Sequence, residues 1–176
     1  MAEEQNQEIT EEEQQQAQFQ LQKLYMKDIS FELPNAPQIF QEDGQIEIKM
    51  NLAQRVENLA DDVQEVVLTV TVTASLGEKT AYLAEVQQAG IFAISGLNEQ
   101  ATHAAINTLC PHTLFPYARR AITDMVADGG FPPLVLQPIN FEQIYAQRLQ
   151  QAQGQSNGEG DLEVQGEGDL EVQGNA

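Results

Sequence analysis

The chain has 176 residues, which is long enough for one domain with a sizeable hydrophobic core. Its 27 acidic and 8 basic residues give a net charge of −19, which argues against nucleic-acid binding because phosphates require a basic surface. The negative charge favours basic or cationic partners, and plain solubility is the simpler alternative.

The first 18 residues, beginning MAEEQNQEITEEEQQQ, carry six acids, no base and no apolar periodicity. We predict a disordered arm there, and the segment lacks the basic start and apolar run of a secretory signal. No apolar stretch approaches the roughly 18 residues of a membrane span. With one cysteine, no internal disulfide is possible, so we expect a protein of the reducing cytoplasm.

Four segments between residues 27 and 94 alternate apolar and polar residues, as β-strands do. KDISFEL is stopped by PNAP, and QIEIKMNL follows it. EVVLTVTVTAS then turns at Gly77 and returns from Ala81 to Ile94. Because the links between these segments are short, we predict an antiparallel four-stranded meander.

The third strand has one aliphatic side and one side of mostly threonines. The threonine side belongs to a predicted acidic and polar sheet face, for which an ordinary solvated surface is the simpler alternative. This face comprises Asp28, Glu32, Glu47, Glu65, Thr69, Thr71, Thr73, Leu83 and Glu85.

The periodicity then becomes helical, which makes the fold class α+β. We predict one helix ending at Pro111, a second from Thr113 to Asp128, and a last helix capped by Asn140. FPPLVLQPIN, residues 131–140, is predicted to be extended, either as core packing or as a binding segment. These helices could hardly cover four long strands, so an oligomer is expected.

His103, Cys110 and His112 are close in sequence and could form a Cys–His nucleophile or a zinc site. No third orienting group and no metal-ligand spacing accompany them, and no nucleotide-binding loop is present. A half-buried cysteine with polar histidines is the simpler interpretation. We therefore predict no catalytic residue, no metal and no cofactor.

From residue 154 onward the chain is acidic and low in complexity, with GEGDLEVQ at 158–165 and again at 166–173. Two copies are too few for a stacked repeat fold. We predict a disordered acidic tail at 154–176, which leaves the folded domain at 19–153.

KDISFELPNAP, ADDVQEVVLTVTVTASLGEKTAYLAEVQQAGIF, CPHTLFPYAR and GGFPPLVLQPINFEQIY resemble the SecB family of protein-export chaperones, in order from Leu21 to Gln150. The resemblance implies a four-stranded sheet with helices on one side, assembled as a homotetramer that is a dimer of dimers. It implies no enzymatic activity and no need for ATP. Such a protein holds precursors unfolded in the cytoplasm of a Gram-negative bacterium and passes them to the motor SecA, without nucleic acid and without inserting into the membrane.

The resemblance also implies three groups of site residues. The basic, zinc-bearing C-terminal tail of SecA would dock on the outer sheet face at Asp28, Glu32, Leu83 and Glu85. Unfolded clients would lie in a groove lined by Ile48, Met50, Leu52, Phe131, Leu134, Leu136, Phe141 and Ile144. Subunits would meet near Tyr82, Ala84 and Gln88.

Three residues depart from the family pattern, since Gly44 replaces a common Trp, Ala84 a common Cys and Tyr82 a common Phe. The first departure predicts one aromatic client contact fewer. A second functional hypothesis remains open, namely an adaptor that binds one folded partner through the acidic sheet face.

Overall fold

The computed structural model describes residues 17–155 and 170–172. The remaining parts of the predicted arm and tail, 1–16, 156–169 and 173–176, lie outside the described residues. The elements are β1 Gln18–Glu32, a short 3-10 helix Gln38–Gln41, β2 Ile46–Ala60, β3 Val63–Leu76, β4 Lys79–Ser95, α1 Glu99–Asp128, α2 Phe141–Gln155 and β5 Leu170–Val172.

The strands form one antiparallel sheet in the order β1-β4-β3-β2-β5. β2, β3 and β4 are consecutive hairpins, with Asp62 (φ 58°) and Gly77 (φ 60°) in their turns. β1, however, pairs with β4, so the predicted simple meander is wrong and the order is that of a Greek key. Pro34 and Pro37 in the connection from β1 to β2 disfavour a tight hairpin there, and the chain crosses to the other sheet edge instead.

The two sides of the sheet differ as the alternation predicts. Val66, Leu68, Val70 and Val72 are fully buried in the core beneath the helices. The threonines of β3 alternate with them and lie on the opposite, outer face, where they are half-buried. The structure therefore has a helix-covered inner face and an outer face that carries polar side chains.

α1 is a single helix of 30 residues that contains Pro111 and Pro116, so the predicted break at Pro111 is wrong. A proline inside a helix costs roughly 3 kcal/mol, because it lacks an N–H group and clashes with the preceding turn. Pro111 is fully buried beside Cys110 and Leu114 in a stripe that packs on the sheet. Burying each large apolar side chain of this stripe contributes about 1.5–3 kcal/mol, which outweighs the cost.

The segment from Phe131 to Asn140 is extended, as predicted, and hydrogen bonds to α1 hold it in place. Thr123 Oγ1 donates to the carbonyl of Leu134 at 2.6 Å. α2 then begins with the predicted cap, since Asn140 Oδ1 accepts from the backbone N–H of Gln143 at 2.9 Å.

Candidate protein-binding surfaces

The four residues predicted to bind SecA lie together at one edge of the outer face. Glu32 is directly opposite Leu83 in the β1–β4 register, and Asp28 is opposite Gln87, which follows Glu85 on the same face. Asp28 and Glu32 are exposed, whereas Leu83 and Glu85 are half-buried. These four residues, which we call the acidic edge patch, place three carboxylates and one apolar side chain on neighbouring positions of β1 and β4.

A threonine of the outer face fixes the position of one of these carboxylates. Thr71 Oγ1 donates to Glu85 Oε2 at 2.9 Å, and the two residues are directly opposite in the β3–β4 register. Because this hydrogen bond already restricts the rotamers of Glu85, the Glu85 side chain loses less conformational entropy when a partner binds it. The threonine side of β3 is therefore more than a solvated surface, because Thr71 orients the carboxylate of Glu85.

Glu65 was predicted to be part of the solvated acidic sheet face, but it is buried. Its exposed fraction is only 5%, and its carboxylate accepts hydrogen bonds from Lys27 Nζ at 2.7 and 2.8 Å and from the Tyr25 hydroxyl. The bonds from Lys27 and then Tyr25 hold the pKa of Glu65 below its usual value. The bond to Glu65, with burial, raises the pKa of Tyr25 to about 12.

This partly buried ion pair matters for the acidic edge patch because Lys27 precedes Asp28 in sequence. Lys27 is the extra residue at an irregularity in the β1–β4 register between Met26 and Asp28. Its ammonium group pairs with Glu65. The nearest basic residue in sequence is thus paired with Glu65, and Asp28 remains exposed to solvent.

The eight residues predicted to line the client groove come together on the inner side, between the sheet and the helices. Most of their surface is already covered by the chain itself. Those that are buried are Met50, Leu52, Leu136 and Phe141, and those that are half-buried are Ile48, Phe131, Leu134 and Ile144.

Two exposed apolar residues beside this cluster were missed. The ring of Phe40 is half exposed and lies 5.2 Å from the ring of Phe131, centroid to centroid. Val135 is 68% exposed between its more covered neighbours Leu134 and Leu136. The alternation expected of an extended segment could have identified Val135, whereas nothing in the local sequence signals Phe40.

The three residues predicted at the subunit interface are buried within the chain. Tyr82 is 2% exposed, and its ring contacts the rings of Phe31 at 5.8 Å and Phe131 at 5.0 Å. Ala84 is also buried, and Gln88 Nε2 donates to the carbonyl of Tyr25 at 2.8 Å. The interface assignment stays a prediction, and little surface of these three residues is free for another subunit.

The three residues considered for catalysis or metal binding differ in burial and in their hydrogen-bond partners. Cys110 is 0% exposed, and burial raises the pKa of its thiol to about 12. His103 Nδ1 lies 2.9 Å from the Tyr145 hydroxyl, and His112 is exposed. Within residues 17–155 and 170–172, no group of three or more His, Cys, Asp or Glu side chains could hold a metal ion. Among these same residues, no helix has both the length and the apolar character to cross a membrane.

The family described as SecB, preprotein translocase subunit SecB, matches residues 12–152. The protein-export protein SecB of Xanthomonas euvesicatoria is 50% identical over 145 residues, which cover 82% of this chain and 85% of the relative. The protein of the same name from Nitrosococcus oceani is 48% identical over 155 residues, which cover 87% and 94%.

Among solved structures, a SecB-like chaperone of Mycobacterium tuberculosis, in complex with a ChAD peptide from an antitoxin, has a TM-score of 0.57. It is 17% identical, and the match covers 69% of this chain and 91% of that one. This structural likeness supports the α+β fold. The family match and the two export proteins show that the chain is a member of the SecB family.

Proposed function

This chain belongs to the SecB family of protein-export chaperones and is not an enzyme, and we propose that it holds precursor proteins unfolded, without ATP, for delivery to SecA. An adaptor for one folded partner is not favoured, because the relatives over nearly the whole chain are export proteins. The observation that supports the holding role is the exposed apolar surface of Phe40, whose ring contacts the half-buried Phe131, together with Val135 four residues further along the same extended segment.

This apolar surface, which we call the aromatic strip, suits extended chains better than folded ones. Its residues come from the connection between β1 and β2 and from the extended segment after α1, and it adjoins the predicted groove. Each apolar contact contributes little, and several segments of one client bound at once would raise the overall affinity through effective concentration. Promiscuous binding of this kind requires adaptable surfaces rather than a shaped pocket.

A refolding assay tests the holding role. The chain should slow the refolding of unrelated, chemically denatured proteins, and Phe40→Ser with Val135→Ser should weaken this effect without unfolding the chaperone. Leu59→Ser is the matched control, because Leu59 is 49% exposed but lies at the end of β2. If the double variant holds clients as well as the parent does, the aromatic strip is not the binding surface.

We further propose that SecA binds the acidic edge patch, where a cationic segment would meet the three carboxylates of the patch and the apolar side chain of Leu83. The patch and the aromatic strip belong to opposite faces of the sheet, so a client and the motor could be bound together. Asp28→Ala and Glu85→Ala should each weaken SecA binding in isothermal titration, and added salt should do the same.

Glu47→Ala is the control for the patch, because Glu47 is an exposed acid of the same face on β2, two strands further from β1 than β4 is. It removes the same charge at a different place. Equal losses for Glu47→Ala and Asp28→Ala would show that SecA responds to net charge and would contradict the assigned patch.

The proposed assembly into a dimer of dimers is supported by β1. Within the described residues β1 pairs on one side only, with β4. It also carries three exposed apolar side chains, Phe19, Met26 and Ile29. An unpaired edge with apolar side chains suits pairing with a second copy. Native mass spectrometry should show tetramers that dissociate when Ile29 is replaced by Asp.

A further inference from the structure

The edge of β2 is occupied by a segment of the chain's own tail. Leu170–Val172, as β5, pairs antiparallel with β2, placing Leu170 opposite Leu52 and Val172 opposite Met50. An unpaired strand edge presents free N–H and C=O groups that can template another strand, and β5 pairs with such an edge over three residues. Beyond these three residues, the edge of β2 that faces away from β3 has no partner strand within the described residues.

The contact falls on residues that the proposed function assigns to clients. Met50 and Leu52 belong to the predicted groove, and Leu52 lines a cleft together with Phe141 and Ile144 of α2. An extended client that added a strand to β2 would need the same backbone groups. The tail and a client therefore exclude each other at this edge.

The tail is suited to be a weak competitor held close by. α2 ends at Gln155, and the 15 residue steps from 155 to 170 span at most about 54 Å when fully extended. Attachment to the same chain gives a local concentration on the order of millimolar. Three backbone pairs and an acidic composition in a chain of net charge −19 keep the contact easily displaced.

We propose that residues 170–172 act in cis as an internal pseudo-client, which covers the β2 edge until an unfolded chain displaces it. This inference rests on the proposed holding role. A tail that occupies the edge about 90% of the time lowers the apparent client affinity about tenfold, because only the open fraction can bind. Removing the tail should therefore tighten client binding by roughly threefold to tenfold, for occupancies of about 70–90%.

The first test measures the affinity for fluorophore-labelled lysozyme that has been reduced and carboxamidomethylated. Three forms are compared with the parent. One chain ends at Gln155. One carries Leu162→Pro with Leu170→Pro, because DLEV stands at 161–164 as well as 169–172 and proline cannot donate to a strand ladder. The third carries Glu163→Gln with Glu171→Gln, which changes charge but leaves the backbone able to pair.

Tighter binding by both the truncated chain and the proline variant supports the proposal. Tighter binding by the truncated and glutamine forms, with the proline form unchanged, would assign the effect to charge and overturn strand competition. Unchanged affinity in all three forms would also overturn it.

A second test does not depend on any client. The edge-facing amides of Met50–Leu52 should exchange with deuterium more slowly in the parent than in the truncated and proline forms. If no form binds the denatured lysozyme while this protection is present, the holding role fails and the tail contact stands. If the amides exchange equally in all forms, the pseudo-client proposal fails whatever the holding assay shows. Protection that is lost on dilution would assign the strand to a second copy.

Discussion

Replacing Glu65 by glutamine removes one negative charge from a site where it is both buried and paired. The shape of the side chain is kept, and the amide oxygen can still accept from the Tyr25 hydroxyl. The charge that faced Lys27 is lost. Because the Lys27 side chain is 34% exposed, its ammonium group can turn towards water and is not left buried without a partner.

The expected loss follows from the hydrogen bonds. A hydrogen bond to a charged group contributes roughly 1.5–3 kcal/mol, and the two Lys27 contacts share one ammonium group. We therefore expect Glu65→Gln to lower the free energy of unfolding by about 2 kcal/mol at pH 7. Glu57→Gln is the matched control, because Glu57 is exposed and directly opposite Glu65 on β2, where removing it relieves like-charge repulsion.

The difference between the parent and Glu65→Gln should depend on pH. The folded-state pKa of Glu65 lies below the ordinary value of 4.5, so the unfolded chain takes up the proton more readily. The stabilisation is present in full above pH 4.5 and is lost as the pH falls through the lower folded-state pKa. Urea unfolding followed by far-UV circular dichroism at pH 7 and pH 3, at one protein concentration, measures it. The reasoning would be refuted if the parent and Glu65→Gln differed in free energy of unfolding by the same amount at both pH values. It would also be refuted if Glu57→Gln lowered this free energy as much as Glu65→Gln does.

Three further outcomes are expected. Gly129→Ala should lower the thermal midpoint, because a Cβ there would lie 2.4 Å from Phe31 Cε1 and overpacking costs about 1–3 kcal/mol; the added variant Phe31→Leu should recover part of the loss. Cys110 should react with a disulfide reagent at pH 8 only after urea is added, and fast reaction of the native protein would contradict its burial. Asn140→Ala should speed amide exchange in the first turn of α2 and cost about 1 kcal/mol, and Asn140→Asp should restore protection of the Gln143 amide.

The strands and their two faces could be predicted from the sequence, but their order could not. Alternation along β3 and β4 identifies each strand and the side that it buries, because successive side chains point to opposite faces. It does not identify the neighbouring strand. β1 pairs with β4 rather than β2, which the proline-containing connection allows and no local pattern specifies. In the same way, the local cost of Pro111 was clear, but the burial that outweighs it appears only when α1 packs on the sheet.

The candidate surfaces show the same division. Alternation along β1 and β4 predicted that Asp28, Glu32, Leu83 and Glu85 share the outer face, whereas the resemblance to the SecB family singled them out as one set. Lys27 and Glu65 are 38 positions apart, so their pairing depends on the β1–β4–β3 arrangement and left no signal in the sequence. Exposure of Phe40 likewise depends on how the connection from β1 to β2 folds over the sheet, whereas alternation along the extended segment after α1 could have identified Val135.

Successive residues of β4 face opposite sides of the sheet. Leu83 and Glu85 face outward, while Tyr82, Ala84 and Val86 fill the core. Adding or deleting one residue in this strand would exchange the two sets beyond that point and bring a carboxylate beneath α1. Length changes in β4 should therefore be much less tolerated than substitutions at Leu83 or Glu85. The chemistry of the outward side chains of β4 can therefore be changed by substitution, while their spacing is fixed by the core-facing residues of the same strand.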